Sequence, residues 1–321
     1  MQYDLICIGT ALVDSIIRGF DPEPVSASGY RAGSGSLSVG GEAVNASVAA
    51  SKLGLRTGIL CALGEDPAGD IVRHELEKNG VDTRLIVRSP ATPVTTMFVR
   101  PDGTRRSVTN ESHRYNFHPE KEPARFTSAA ALMLGSLFRA PFDDPEIIHS
   151  VLSRANAAGQ WVIADTKLPN FRSLTLKDIA DSLPLIDTIT PNEDEARYLT
   201  GKKEPEEMAD VLLAGGVRRV IIKLGNKGCL MKTGETSLRL PAIPVIPVDT
   251  TGAGDHFAAG FVSEILRGAP DMEALRFANA CGAVCATAVG AGTALRNREQ
   301  VLRLLAKNDR RKVKISQDGY S

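Results

Sequence analysis

The sequence predicts an α/β protein: a mostly parallel sheet covered by helices on both faces, with a small separate antiparallel β-sheet beside it. Three observations carry this. Short apolar runs alternate with helical stretches over most of the 321 residues, the pattern of successive β-α-β units. Two strand-like runs, 93–100 and 104–109, break the rhythm, because the turn Pro101-Asp102-Gly103 joins them with no helix between. A glycine-bearing loop near residue 252 opens directly onto a helix, an arrangement suited to holding an anion.

Taken in order, residues 5–12 (Leu-Ile-Cys-Ile-Gly-Thr-Ala-Leu) read as a buried strand with Asp14 just beyond it. A carboxylate there either meets a ligand, as at the C-terminal ends of strands in open α/β sheets, or simply closes the strand in solvent. Residues 19–38 are rich in Gly, Ser and Pro without a period, which suggests an excursion from the core. Gly40-Gly41 then precede an alanine-rich helix ending at Leu53-Gly54; the glycines let backbone approach a ligand, and Asn45 offers both donor and acceptor. Residues 58–64 read as a strand, and 66–78 as a helix capped by Asp66 and stopped near Gly80. Further strands are expected at 130–137, 161–164, 188–190 and 220–224, with helices at 144–158, 193–199 and 206–213. Residues 307–321, basic around Arg310-Arg311-Lys312, read as a frayed tail.

The most informative stretch is Asp249-Thr250-Thr251-Gly252-Ala253-Gly254-Asp255. Behind it Phe257, Phe261, Ile265 and Leu266 recur at helical spacing, and Gly268 is placed to end the helix. Free amides at a helix start and the positive end of its dipole make an anion site, and Gly252 and Gly254 keep Cβ atoms out of its way. On these residues alone, Asp255 equally well only complements the dipole.

Composition narrows the partners. Hydrophobic residues make up 43% and charged ones 24%, enough for a substantial core. Lys plus Arg and Asp plus Glu both count 38, and this zero balance argues against nucleic acid or an anionic membrane surface and for a small-molecule partner. The five cysteines, Cys7, Cys61, Cys229, Cys281 and Cys285, form no Cys-x-x-Cys pair and read as buried free thiols. Met1-Gln2-Tyr3-Asp4 has no basic leader character and no apolar run reaches membrane-spanning length, so the cytoplasm is expected. Neither a P-loop nor a protein-kinase motif set occurs.

The stretch 249–255 resembles the C-terminal signature of the PfkB-type, ribokinase-like carbohydrate kinases. Gly40-Gly41 with Asn45, followed by Gly54 and Gly64, resembles their N-terminal signature, and the similarity covers roughly residues 4–305. The resemblance implies a single kinase domain over 1–321 with a three-layer ribokinase-like sandwich. It implies a β-sheet lid formed by segments at about 15–39 and 90–112, pairing with a second subunit's lid in a homodimer. The reaction implied is transfer of the ATP γ-phosphate, with Mg2+, to a primary hydroxyl of a sugar or sugar acid.

Residue by residue, the resemblance makes Asp255 the base and Gly252-Ala253-Gly254 the anion hole. Because the hydroxyl proton becomes acidic late in the transfer, an ordinary carboxylate pKa is expected of the base. Asp14, Gly40, Gly41 and Asn45 are implied for the acceptor. Lys167, in Asp165-Thr166-Lys167-Leu168-Pro169-Asn170, is implied for substrate or phosphate. Asn192 and Glu195 match an Asn-x-x-Glu element that organises hydrated magnesium, although taken alone a Pro-led helix start with acids in its first turn explains them better. Lys223, Gly225 and Gly228 are implied near the nucleotide and Asn279 at the adenine pocket. Asp249 and Thr251, with backbone carbonyls from 286–293, resemble a monovalent-cation site, which brings in potassium.

His256 stands where family members carry a small residue and is expected to point away on its helix. Glu42 replaces the Lys of typical ribokinases. Gly135-Ser136-Leu137 and Asp102-Gly103-Thr104-Arg105 look closer to fructokinase- and ketodeoxygluconate-kinase-like members. A nucleoside kinase of the same family is the competing enzymatic reading. A catalytically silent sugar-binding protein is the other, and the intact Asp255, glycines and Asn-x-x-Glu element argue against it.

Overall fold

The structure, a computed structural model, describes residues 2–20, 29–110, 117–170 and 172–318. In chain order the first strands and helices are β1 (Tyr3–Ile8), β2 (Leu12–Arg18), β3 (Ser34–Gly40), α1 (Glu42–Lys52), β4 (Thr57–Leu60), β5 (Ala62–Leu63) and α2 (Pro67–Lys78). Next come β6 (Val87–Arg88), β7 (Val94–Val99), β8 (Arg105–Thr109), α3 (Pro123–Phe126), β9 (Ala129–Leu137), α4 (Pro145–Ala157) and β10 (Trp161–Thr166). Then follow β11 (Thr188–Ile189), α5 (Glu193–Thr200), α6 (Pro205–Ala214), β12 (Arg219–Lys223), β13 (Cys229–Lys232) and β14 (Ser237–Leu240). The helices α7 (Ala253–Ile265), α8 (Asp271–Cys285) and α9 (Arg298–Asp318) complete the order.

The large sheet has eight strands in the order β14-β13-β12-β11-β10-β9-β1-β4; β13 pairs antiparallel with both β12 and β14, and the other neighbours pair in parallel. Alternation of side chains explains its two cores. From β1, Leu5 and Cys7 face one core with Ala46 of α1, Val72 of α2, Phe261 of α7 and Phe277 of α8. Ile6 and Ile8 face the other with Ile148 of α4, Ala196 of α5 and Leu212 of α6. A strand buried on both faces has no polar alternation, which is why β1, β9 and β10 read as continuous apolar runs. Gly260 brings α7 against α8: a methyl there would lie 2.7 Å from Cys281 Sγ.

A second sheet of four strands, β3-β2-β7-β8, is mixed rather than antiparallel. The two hairpins are antiparallel, but β2 and β7 are separated by α2 and pair in parallel, Asp14 opposite Thr95. Residues 5–12 are therefore not one strand: the chain leaves the large sheet after Ile8, and Asp14 lies inside β2 of the second sheet. The run 58–64 likewise divides into β4 and β5, the latter paired with β6. Residues 21–28 of the expected excursion and 111–112 of the expected lid fall outside the described residues.

The tail is helical rather than frayed through Asp318, since α9 seats Val301, Leu304 and Leu305 on the core and Arg276 pairs with Asp309. Residues 319–321 lie outside the described residues. All five cysteines are buried and free, and among the described residues no helix is long and apolar enough to cross a membrane.

Candidate active site

The parallel strands end on one edge of the large sheet, and the polar residues gather there. Asp165, Thr166 and Lys167 come at and just past the end of β10, Thr190 to Asn192 after β11, and Lys223 at the end of β12. The N-termini of α1, α5 and α7 open onto the same edge, where an α/β sheet offers both strand ends and helix amides to a ligand.

Asp255, in the first turn of α7, is 4% exposed. Its Oδ2 accepts a hydrogen bond from Asn45 Nδ2 at 2.8 Å, a contact between residues 210 apart in the chain. Burial pushes the Asp255 carboxyl up to about 7; the Lys167 ammonium pulls it down, while Asp165 and Glu42 add to the rise. This departs from the ordinary carboxylate expected, because the helix start seats Asp255 under Asn45 rather than in solvent. Gly252 holds the loop with φ +77°, and a methyl on it would strike Ala291 Cβ at 2.4 Å, so the position demands glycine on both counts. Of the loop amides, that of Ala253 is spent on Thr250 O at 3.2 Å, leaving those of Gly254 and Asp255 in the turn where a helix supplies no acceptor. Lys223 Nζ lies beside this turn, 3.0 Å from where a Cβ on Gly254 would stand.

On the other side of Asp255 lies an acidic pocket. Asp14 is half-buried, and burial together with the neighbouring Glu42 raises its carboxyl. Gly40 makes room for it, since a Cβ there would come within 2.3 Å of Asp14 Oδ2. Gly41, at φ +104°, lets the chain pass against Thr10 O at the entrance to α1. Glu42 faces Lys167 Nζ at 3.5 Å. Burial alone would raise the Glu42 carboxyl, but Lys167, the Ser136 hydroxyl and Arg139 bring it below its usual value. Lys167 is the hub: burial opposes its charge, yet Glu42, Asp255, Asp165 and Glu195 all hold the ammonium on.

Behind the anion loop, Asp165 is 1% exposed; its Oδ1 meets Lys223 Nζ at 2.5 Å and accepts from Thr190 Oγ1 at 2.7 Å. Asn192 and Glu195 form a full capping box: Glu195 N donates to Asn192 Oδ1 and Asn192 N to Glu195 Oε2, each at 2.9 Å. Thr166 Oγ1 donates to the same Glu195 oxygen at 2.8 Å, and burial raises the Glu195 carboxyl against the pull of Lys223. The helix-cap role is thus real, and it fixes an acid at the strand edge at the same time. Among the described residues no three His, Cys, Asp or Glu side chains are arranged to hold a metal.

The remaining expected residues form two flanking groups. A Cβ on Gly228 would lie 1.9 Å from Leu240 O, and Asn279 Nδ2 donates to Pro241 O at 2.8 Å, so both border the segment after β14; Asn279 is not a freely solvated helix residue. Gly225 has open space around it at φ +58°. Asp249 Oδ1 accepts from Thr251 N at 3.0 Å and from its hydroxyl at 2.6 Å, while Oδ2 accepts from Gly290 N at 3.1 Å. His256 does not point away: it is fully buried, its Nδ1 donates to Gly252 O at 2.9 Å, and burial lowers it to about 4, so the ring is neutral.

Asp165 has no role in the motifs, although a carboxylate ending an apolar strand, as expected at Asp14, marks it too. Ser136 also belongs to this edge, buried beside Glu42 with φ +64°. The resemblance marks it only within Gly135-Ser136-Leu137, without a role.

The comparisons with known proteins agree with this architecture. A family model described as "pfkB family carbohydrate kinase" matches residues 3–298. The chain is 28% identical over 277 residues to a ribokinase of Haemophilus influenzae, covering 84% of this chain and 88% of that protein. It is 30% identical over 292 residues to a 2-dehydro-3-deoxygluconokinase of Bacillus subtilis, covering 84% and 87%. Among solved structures, an Arabidopsis thaliana ribokinase complexed with ribose and ATP superposes with a TM-score of 0.83 at 26% identity, covering 95% of this chain and 99% of that one. With that family match spanning nearly the whole chain, and its two glycine signatures meeting at Asp255, the protein belongs to the pfkB family of carbohydrate kinases.

Proposed function

We propose that this phosphotransferase moves the γ-phosphate of ATP to a primary hydroxyl of a neutral sugar, with Asp255 as the base. The observation that carries the reading is the Asn45–Asp255 contact, which joins both signatures at one buried carboxylate next to an open helix start. The acceptor hydroxyl lies against Asp255, which takes its proton as the oxygen attacks phosphorus. The amides of Gly254 and Asp255 and the Lys223 ammonium meet the charge on the transferring group, where preorganised donors act most strongly. A base poised near 7 is matched to proton transfer at neutral pH.

The donor set suits magnesium: Glu195 and Asp165 offer hard carboxylate oxygens, and the lack of an all-protein cage among the described residues fits an ion held mainly through water and phosphates. When bound, the ion neutralises phosphate charge. Gly225, Gly228 and Asn279 border the nucleotide in this reading.

The acceptor is a neutral polyol rather than a sugar acid. Asp14 and Glu42 present two carboxylates to its space, and the nearest cation, Lys167, is already shared among four acids. An anionic acceptor entering there meets both carboxylates, against which stands one further cation near Glu42, Arg139, whose guanidinium is bonded to Leu168 O. The four-stranded sheet serves as the lid. Register puts Asp14, Ser38, Thr95 and Thr109 on one face, toward the site, and Leu37, Ser15, Thr96 and Val108 on the other. With Leu37 62% and Val108 67% exposed, that outer face suits a second copy of the chain and so a homodimer. Five free thiols fit a reducing cytoplasm.

Direct counting of ADP released with ketoses, aldoses, aldonic acids and nucleosides tests the reading. ADP formation with a neutral sugar, abolished in Asp255→Asn, is expected. Sugar binding without ADP would leave only a binding protein, and turnover confined to nucleosides would make it a nucleoside kinase.

A further inference from the structure

The turn at 290–293 abuts the anion loop, yet the cation associated with it comes from the protein itself. Lys52, in the last turn of α1, donates from Nζ to Gly292 O at 2.7 Å across 240 residues. The ammonium is half-buried and sits where the negative end of the α1 dipole favours a positive charge. Several other oxygens of the expected cation site already accept from donors of the chain. The single Cys285 thiol proton lies between Thr251 O and Ala291 O, with Sγ 3.4 and 3.6 Å away, and the Asp249 oxygens accept from Thr251 and Gly290. Ala286 O accepts from Val248 N at 2.7 Å and Asp249 N at 3.3 Å. With an ammonium already on one of its carbonyls and the Asp249 carboxylate committed to Thr251 and Gly290, the site carries a positive charge of the chain's own in place of an added potassium ion.

The contacts connect Lys52 to the reacting groups. The turn it holds places Ala291 against Gly252, where even a methyl could not be inserted, and Gly252 O carries the His256 ring that follows Asp255. We infer that the Lys52 ammonium, bonded to Gly292 O, serves as a built-in monovalent cation for the 290–293 turn, ordering the anion loop without potassium. Lys52 is a positioning residue; it acts through the turn and touches no reacting atom. The inference rests on the kinase reading.

The test compares potassium, sodium and tetramethylammonium chlorides at equal ionic strength, counting ADP by chromatography because coupling enzymes can themselves need potassium. Wild-type turnover should agree within about twofold across the three salts, Lys52→Met should lose about tenfold or more, as for a lost charge-assisted hydrogen bond, and Lys52→Arg should retain most activity. Wild-type turnover rising severalfold in potassium would overturn the inference, and so would a Lys52→Met enzyme equal to wild type or a Lys52→Arg enzyme as impaired as Lys52→Met. The salt comparison needs no variant, so misfolding of Lys52→Met does not shelter the idea. Should no acceptor yield ADP, the kinase reading fails separately. The ATP-induced rise in melting temperature then reads the anion loop: salt-independent in wild type if the inference holds, potassium-dependent if it does not.

Discussion

The strand edge of the large sheet and the four-stranded sheet beside it solve opposite problems. At the edge, Asp165, Glu195 and Asp255 are all at most 4% exposed and each is tied to a named partner, so charge is held where water cannot screen it. On the small sheet the outer strands leave Leu37 and Val108 in solvent, and the inner face contributes one half-buried acid, Asp14. In the proposed reading the chemistry falls to the first region, while Asp14 of the second joins Glu42 of α1 in choosing the acceptor and the outer face meets the partner. Substitutions at the edge should change turnover by orders of magnitude, and substitutions in the small sheet should change selectivity or association.

The largest effect is expected from Asp255→Asn. It keeps the shape and a hydrogen-bonding group but removes the base, and turnover should fall by about a thousandfold or more. The ATP-induced melting shift should survive; near-normal turnover would take Asp255 out of its role.

The same carboxylate ties activity to pH. With a folded pKa of about 7, raised by burial, activity should fall on an acid limb centred near pH 7, because the base must be ionised. Stability runs the other way. Between pH about 4 and about 7 the native state holds a proton that the unfolded chain has released, so this group's contribution to stability declines as pH rises through that window. Asp255→Asn should consequently melt a few degrees above wild type at pH 8, a trade of stability for function, and little above it at pH 5. Equal melting at pH 8 would show that the neighbouring Lys167 offsets the burial cost.

How much of this was legible in the sequence follows the range of each interaction. The anion loop, α7 and the capping acid Asp66 are local patterns, and the chain displays them directly: Asp66 Oδ1 accepts from Gly69 N at 2.8 Å as a helix cap should. The two glycine signatures placed Asn45 and Asp255 in one site, but their contact spans 210 residues and no periodicity encodes it. Asp14 was assigned to the wrong sheet because residues 5–12 are apolar throughout, and only tertiary packing tells where the chain leaves one sheet for another. The raised pKa of Asp255 escaped for the same reason, since desolvation depends on what covers a residue. Lys52 lies outside the motif logic altogether, and His256 enters it only as a departure whose direction the pattern does not give; burial and one long-range carbonyl contact define them.

Lys167→Met comes next in expected size. It leaves Glu42, Asp165, Glu195 and Asp255 without their shared ammonium, and breaking one side of a buried charge network costs about 3 kcal/mol of stability or more. The acid limb of the pH profile should also move upward, because the group that lowers Asp255 is gone. A profile that stays put while stability falls would confine Lys167 to structure. Glu42→Gln should do less to turnover with neutral sugars, changing it about threefold, while improving the relative kcat/KM for aldonic acids by about tenfold as one repelling carboxylate disappears. An unchanged preference would shift acceptor choice to other residues of the pocket.

The smallest effect on catalysis, and the sharpest on the second region, should come from the outer face of the small sheet. Leu37 and Val108 lie in one cross-sheet row through Ser15 and Thr96, so a charge at Val108 alters that face without reaching Asp14 on the other. If the face pairs with a second copy, Val108→Asp should convert a micromolar dimer to monomer in sedimentation, since an unpaired charge in an apolar contact is costly. The large sheet and its strand-edge ion pairs are untouched, so ADP formation at saturating sugar should remain within about twofold of wild type. Wild-type protein that sediments as a monomer would remove the partner from the outer face and leave the sheet as a cover alone. A monomeric variant with severely reduced turnover would show instead that the two regions are coupled, with association holding Asp14 and the inner face in place over the acceptor.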